Sequence, residues 1–160
     1  DRSSAASDVY KRQVLAADGM RRPLTLIKRE QPLGPADERR VMAASAVQKV
    51  RAMMEEVVTK EGTGFKASVP GYRVAGKTGT SRKIVGGRYT TKYFALFAGM
   101  APASNPRLVM AILIDEPKAG AYYGGTVAAP VFGQTMANAL RILNITPDNL
   151  PTMKIAGAAP

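Results

Sequence analysis

The chain has 160 residues, one domain's worth, and its 46% hydrophobic content is that of a globular protein. It contains no cysteine and no histidine, which excludes Cys-His and Ser-His-Asp catalysis and the common zinc sites. The net charge of +11 calls for an anionic partner, but the cations fall in scattered pairs (Arg21-Arg22, Lys28-Arg29, Arg39-Arg40, Arg82-Lys83) without interleaved aromatics, which argues against nucleic acid.

Residues 1–13, DRSSAASDVYKRQ, are polar and carry no helical or strand period; they read as an unmatched tail or foreign join outside the fold. Residues 14–30 read as the last turn of a helix stopped at Gly19, then an extended piece at 24–27. The segment 31–40, with two prolines and a glycine, reads as a loop. The clearest helix is 45–60, where Val47, Val50, Met54 and Val57 recur at helical spacing. Ser45 with Gln48 makes a capping box, Glu56 and Lys60 an i,i+4 pair, and Gly62 and Gly64 end the helix.

Three strands follow at 72–82, 93–101 and 107–115, joined by the turn-rich links VGGRYTT and PASNP, so an antiparallel meander is predicted. The run LVMAILI in the third strand calls for cover on both faces, more than so few helices supply. A final helix at 126–143 places Phe132, Met136, Leu140 and Leu143 on one face, with Pro130 in its first turn and Asn144 and Pro147 closing it. The order is that of an α+β fold. No apolar run reaches the ~18 residues of a membrane span, and no signal peptide opens the chain.

Chemistry concentrates in RVAGKTGTSRK, residues 73–83. On an edge strand, Gly79 keeps no side chain between a ligand and the backbone N–H groups. Lys77 adds a compact cation, and Thr78 and Thr80 add hydroxyls. The combination suits a carboxylate and an oxyanion developing at a backbone N–H, although a strand can also end in these residues with no ligand at all.

K-T-G is also the third element of the set S-x-x-K, S-x-N, K-T-G of penicillin-binding proteins and serine β-lactamases. With VPGYRVAGKTGTSRK, YFALFAGMAPASNPRLVMAILIDEP, AYYGGTVAAPVFGQTMANALRILNI and PDNLPT, the chain from about Val14 to Thr152 resembles the C-terminal portion of a class B penicillin-binding protein transpeptidase domain. Within that family it resembles the division-specific peptidoglycan D,D-transpeptidases of Gram-negative bacteria most. The resemblance implies part of a penicillin-binding protein/β-lactamase-like fold, an antiparallel sheet flanked by helices. It also implies a serine enzyme without cofactor or metal that cross-links D-Ala-D-Ala stem peptides and is acylated by β-lactams. Such an enzyme works with divisome proteins on the periplasmic side of the inner membrane.

By the same resemblance Lys77 supports the proton network and Thr80 contributes its N–H to the oxyanion hole. Thr78, Gly79 and Arg82 meet the substrate carboxylate, Tyr93, Tyr122 and Tyr123 line an aromatic wall, and Gly124 with Gly125 lets the following loop fold over the cleft. Each has a plainer reading: Tyr93 as a packed aromatic, Tyr122-Tyr123 as a turn anchor, Arg82 as a solvated charge. S-x-x-K and S-x-N do not occur; Thr25-Leu26-Ile27-Lys28 is the nearest approach. The nucleophile and the helical lobe are therefore expected in a missing N-terminal part of the same domain, with 153–160 a flexible tail. Two alternatives remain open: a basic non-enzymatic module for nucleic acid or anionic surfaces, and a penicillin-sensing or β-lactamase-like relative.

Overall fold

The computed structural model describes residues 3–23, 27, 31, 34, 37–118 and 120–150. Its main sheet has three antiparallel strands in the order β3-β4-β5, with β3 Ala75–Val85, β4 Arg88–Ala101 and β5 Leu108–Asp115. Helix α3 (Gly124–Ile142) covers one face. Helices α1 (Ser3–Ala16) and α2 (Ala44–Glu56) cover the other. Two short strands, β1 Met20–Arg21 and β2 Arg39–Arg40, pair antiparallel beside them.

Strand alternation divides the core. On the α3 face, Phe97 of β4 packs against Phe132, ring centroids 4.7 Å apart, in a cluster with Met136, Leu140, Ala128 and Val74. On the opposite face, Ala75, Met100 and Ala103 meet Leu15 and Ala16 of α1, Met54 of α2 and Val109 of β5. Burial of large side chains such as Phe97 and Phe132 is worth roughly 2–3 kcal/mol each and holds the layers together.

Several sequence expectations need correction. The polar segment 1–13 is largely helical: α1 starts at Ser3, and its last turn, with Val14 buried, supplies the cover that LVMAILI required. A short helix with few large apolar residues, Val9, Tyr10, Val14 and Leu15, shows no sustained period, so its docking decides. The segment 31–40 ends in β2 rather than in loop. The expected extended piece at 24–27 lies outside the described residues except for Ile27, as does the tail at 153–160.

Helix α2 begins with Ala43 as N-cap (φ −66°, ψ 134°) and no side-chain cap, which places Ser45 inside the first turn, so the capping box does not form. It also stops at Glu56, where the Thr59 hydroxyl donates to the Glu56 carbonyl at 2.8 Å, and Glu56 and Lys60 do not share a helix. The link 85–91 is mostly strand. Gly86 and Gly87 alone make the turn, with φ +59° and +78°, the positive pair that a two-residue hairpin turn demands. At the other end β3 begins at Ala75, because Tyr72 is taken into a bridge with Val69. Helix α3 starts two residues before Thr126, so Pro130 lies inside it rather than in its first turn.

Candidate active site

Among the described residues β3 is the outer strand of its sheet, paired on one side only, and K-T-G-T sits mid-strand with Lys77↔Ala98, Thr78↔Phe97, Gly79↔Leu96 and Thr80↔Ala95. Alternation puts Thr78, Thr80 and Arg82 on the α3 face and Lys77 and Gly79 on the other. The two halves of the motif start on opposite faces and meet at the strand edge, where the Lys77 ammonium reaches to 3.5 Å from the Thr78 hydroxyl.

On the α3 face the hydroxyls are engaged. Thr80 Oγ1 accepts a hydrogen bond from the Gly124 N–H at 3.1 Å, and Thr78 Oγ1 lies 3.2 Å from Thr63 Oγ1. Lys77 Nζ donates to the Thr78 carbonyl at 3.0 Å. An open cleft of about 430 Å³ is bounded by Thr78 and Thr80, by Thr63 and by Lys66 of the short 3-10 turn Phe65–Ala67, and by Tyr123 and Thr126 at the start of α3.

The start of α3 is pressed against β3. A Cβ on Gly124 would stand 2.1 Å from the Leu96 carbonyl oxygen and 2.4 Å from that of Gly79, and one on Gly125 would stand 2.0 Å from the Thr63 carbonyl oxygen. The Gly-Gly pair thus serves backbone-to-backbone packing in the first helical turn, not the folding of a loop over the cleft.

Beyond the motif, Tyr93 stacks on Tyr122 (centroids 4.2 Å, 18° between planes), and Tyr122 leans on Tyr123 at 4.5 Å. The Arg82 guanidinium lies 5.7 Å from the centre of the Tyr93 ring, within cation–π range. Tyr122 donates to the Tyr123 hydroxyl at 3.3 Å, and its own pKa is raised, first by that hydrogen bond and then by repulsion from the Tyr123 oxygen, with Arg82 acting in the opposite sense. The four side chains form one continuous rim.

The approach to β3 is also fixed. Asp148 accepts from the Arg73 N–H at 2.7 Å and from the N–H and hydroxyl of Ser104 at 3.1 and 2.6 Å. The Arg73 guanidinium makes a two-pronged pair with Glu55 (2.8 and 2.9 Å), which raises its pKa. Sequence reasoning missed Thr63, Lys66 and Thr126; their only signal was proximity to glycines, Gly62 and Gly64 read as the end of a helix and Gly124 and Gly125 read as a loop hinge. Among the described residues no cluster of acidic side chains is suited to a metal. The arrangement offers cations, hydroxyls and a strand edge to an anionic ligand, and none of its hydroxyls has a carboxylate base beside it.

Residues 11–137 match the penicillin binding protein transpeptidase domain, and the chain belongs to that family. It is 49% identical over 135 residues to the peptidoglycan D,D-transpeptidase FtsI of Escherichia coli K12, covering 84% of this chain and 22% of that protein. With the probable peptidoglycan D,D-transpeptidase PenA of Neisseria flavescens it shares 44% over 147 residues, 89% of this chain and 36% of the relative. Among solved structures, the apo transpeptidase domain of Burkholderia pseudomallei penicillin-binding protein 3 superposes with a TM-score of 0.80 at 42% identity, over 89% of this chain and 43% of that one. The chain thus spans about a fifth to a third of the length of these curated relatives. The α+β reading holds, and neither a basic binding module nor a penicillin sensor or β-lactamase is favoured.

Proposed function

We propose that this chain carries the carboxylate-recognition and oxyanion side of a serine-type peptidoglycan D,D-transpeptidase active site. The observation that supports this most is K-T-G-T on an open strand edge flanked by the Arg82–Tyr93–Tyr122–Tyr123 rim, in a chain of the transpeptidase family. The acyl donor is the D-Ala-D-Ala end of a stem peptide, or a β-lactam in its place. Residues 14–152 act as the C-terminal portion of the catalytic domain.

Binding begins with charge. The terminal carboxylate meets Lys77 and Arg82, with the hydroxyls of Thr78 and Thr80 turning from their present partners to donate to it. As a serine attacks the scissile carbonyl, negative charge grows on its oxygen, and the Thr80 N–H at the strand edge stabilises it. Gly79 keeps that edge approachable, and the tyrosine rim packs the side of the peptide or drug. The serine comes from the upstream part of the domain that the relatives possess. Divisome proteins are the partners, and the periplasmic side of the inner membrane is the place of action.

The test is covalent labelling by a fluorescent penicillin, read as a band after denaturation. This chain alone is expected to give none, because acylation needs a nucleophile activated by a neighbouring base. Joined to the upstream segment that carries S-x-x-K, it is expected to label. Labelling of a hydroxyl in the chain alone, or silence after joining, would overturn the reading.

A further inference from the structure

The β3–β4 ladder runs regularly from Ala75↔Met100 to Arg82↔Tyr93 and resumes only at Ile84↔Tyr89. Lys83 therefore faces three residues, 90–92, on the other strand. The irregularity is stitched: the Thr90 hydroxyl donates to the Lys83 carbonyl at 3.0 Å and accepts from the Lys92 N–H at 3.2 Å.

From this point the Lys83 side chain crosses the Phe94 ring, with Nζ 4.8 Å from its centre, and reaches Asp115 Oδ1 at 2.9 Å and Glu116 Oε1 at 2.8 Å. Lys92 takes the other Glu116 oxygen at 3.0 Å. The Glu116 N–H in turn donates to the carbonyl of Tyr93 at 3.0 Å. The cluster lies on the sheet face opposite Arg82 and Tyr93, directly behind the rim.

Its position explains why it is needed. β5 ends at Asp115, opposite Phe94, so beyond Arg82 the hairpin continues as a two-stranded ribbon with Ile84, Val85 and Tyr89 exposed. Such a ribbon is marginal by itself. The bonds from Lys83 and Lys92 to the end of β5 add side-chain ties to the single Glu116–Tyr93 backbone bond that fastens it to the three-stranded sheet at the level of Arg82.

We propose that Lys83 is a positioning residue: its bridge to Asp115 and Glu116 fixes the strand irregularity and thereby holds Arg82 and Tyr93 at the cleft. The inference rests on the reading of the rim as part of the transpeptidase site. Lys83 and Glu116 are half-buried and Asp115 is exposed, and ion pairs that water still reaches add little to stability, so the effect shows in the geometry of the rim more than in the melting temperature.

The test uses the enzyme completed with its upstream segment and measures penicillin acylation rates. Lys83→Met keeps the stem over Phe94 and removes the charge; it is expected to slow acylation about tenfold with the melting temperature nearly unchanged. Glu116→Gln, which leaves β3 untouched, should reproduce part of the loss, and Lys83→Arg should recover most of it. In an Arg82→Ala, Tyr93→Ala background Lys83→Met should have little further effect. Full additivity there, an unchanged rate for Lys83→Met, or a loss that merely follows a fall in melting temperature would overturn the proposal. Lys77→Ala separates the two readings: if it slows acylation while Lys83→Met does not, only the positioning role fails, and if it too is silent, the site reading fails.

Discussion

Lys77 and Gly79 stand on the same face of the edge strand, and each lends itself to a substitution with a defined outcome. Removing one preorganised electrostatic group from such a site costs about 3 kcal/mol, so Lys77→Ala in the completed enzyme should slow acylation roughly a hundredfold. An unchanged rate would remove Lys77 from the site. At Gly79 an added Cβ would meet only Leu96, at 3.5 Å, an ordinary contact. Gly79→Val should therefore fold, since valine suits a strand. Acylation should nonetheless drop sharply, because the branched side chain crowds the strand edge beside Lys77. A variant that melts normally and acylates normally would move the ligand elsewhere. At this scale Lys77, Thr78 and Thr80 were legible because the motif is contiguous. Thr63 was missed, since it reaches Thr78 across 15 residues and only tertiary placement reveals it; Gly124 was singled out, but as a loop hinge and not as the donor that reaches Thr80 across 44 residues.

Elements depend on how closely they can approach one another. The first turn of α3 rests on the carbonyls of Gly79 and Leu96, and Gly124→Ala forces a methyl into a space already occupied by backbone. The expected cost is about 1–3 kcal/mol of overpacking, read as a lowered denaturation midpoint, together with slower acylation because β3 is displaced. A neutral Gly124→Ala would mean that the helix can slide without consequence. The hairpin brace has its own pH window. Glu116 is held below its ordinary 4.5, chiefly by its hydrogen bond to Lys83 and then by that to Lys92. Lys83 is held above its ordinary 10.5 by Asp115 and then Glu116. A depressed carboxyl contributes fully above its unfolded value and loses the contribution as pH falls through its folded one; a raised ammonium contributes fully below its unfolded value and loses it as pH rises through its folded one. The ratio of acylation rates between the unaltered enzyme and Lys83→Met should thus stay flat between 4.5 and 10.5 and shrink once Glu116 is protonated. A ratio that held in acid would show that the bond to Glu116 is not what carries the effect.

Taken whole, the molecule is a three-stranded sheet between one helix and a pair. The meander was readable from its unbroken apolar run LVMAILI and its turn-rich links, and α3 from a 3.6-fold period kept over a long stretch. The ends of elements were less readable, since Ala43 rather than Ser45 starts α2 and a bare Gly86-Gly87 turn lets β3 and β4 run further than their composition suggested. Only the last turn of α1 was read as helix and its stretch before residue 14 was missed: its order comes from the Val14–Ala16 turn settling on β4 and β5, and residues distant in sequence supply that surface. The shared centre is Phe132 against Phe97. Phe132→Ala should cost about 3–5 kcal/mol, measured by denaturant unfolding of the completed enzyme, and a loss below 1 kcal/mol would show that the α3 face is not the main core. The hairpin tip lies at the other extreme, where a Cβ on Gly86 or Gly87 would touch nothing within 4 Å. Extra chain spliced between those two glycines hangs in solvent, outside both hydrophobic clusters and past the Lys83 fastening. A fluorophore placed there would ride on a ribbon whose base is Arg82, turning a loose end of the molecule into a gauge of whether the cleft is filled.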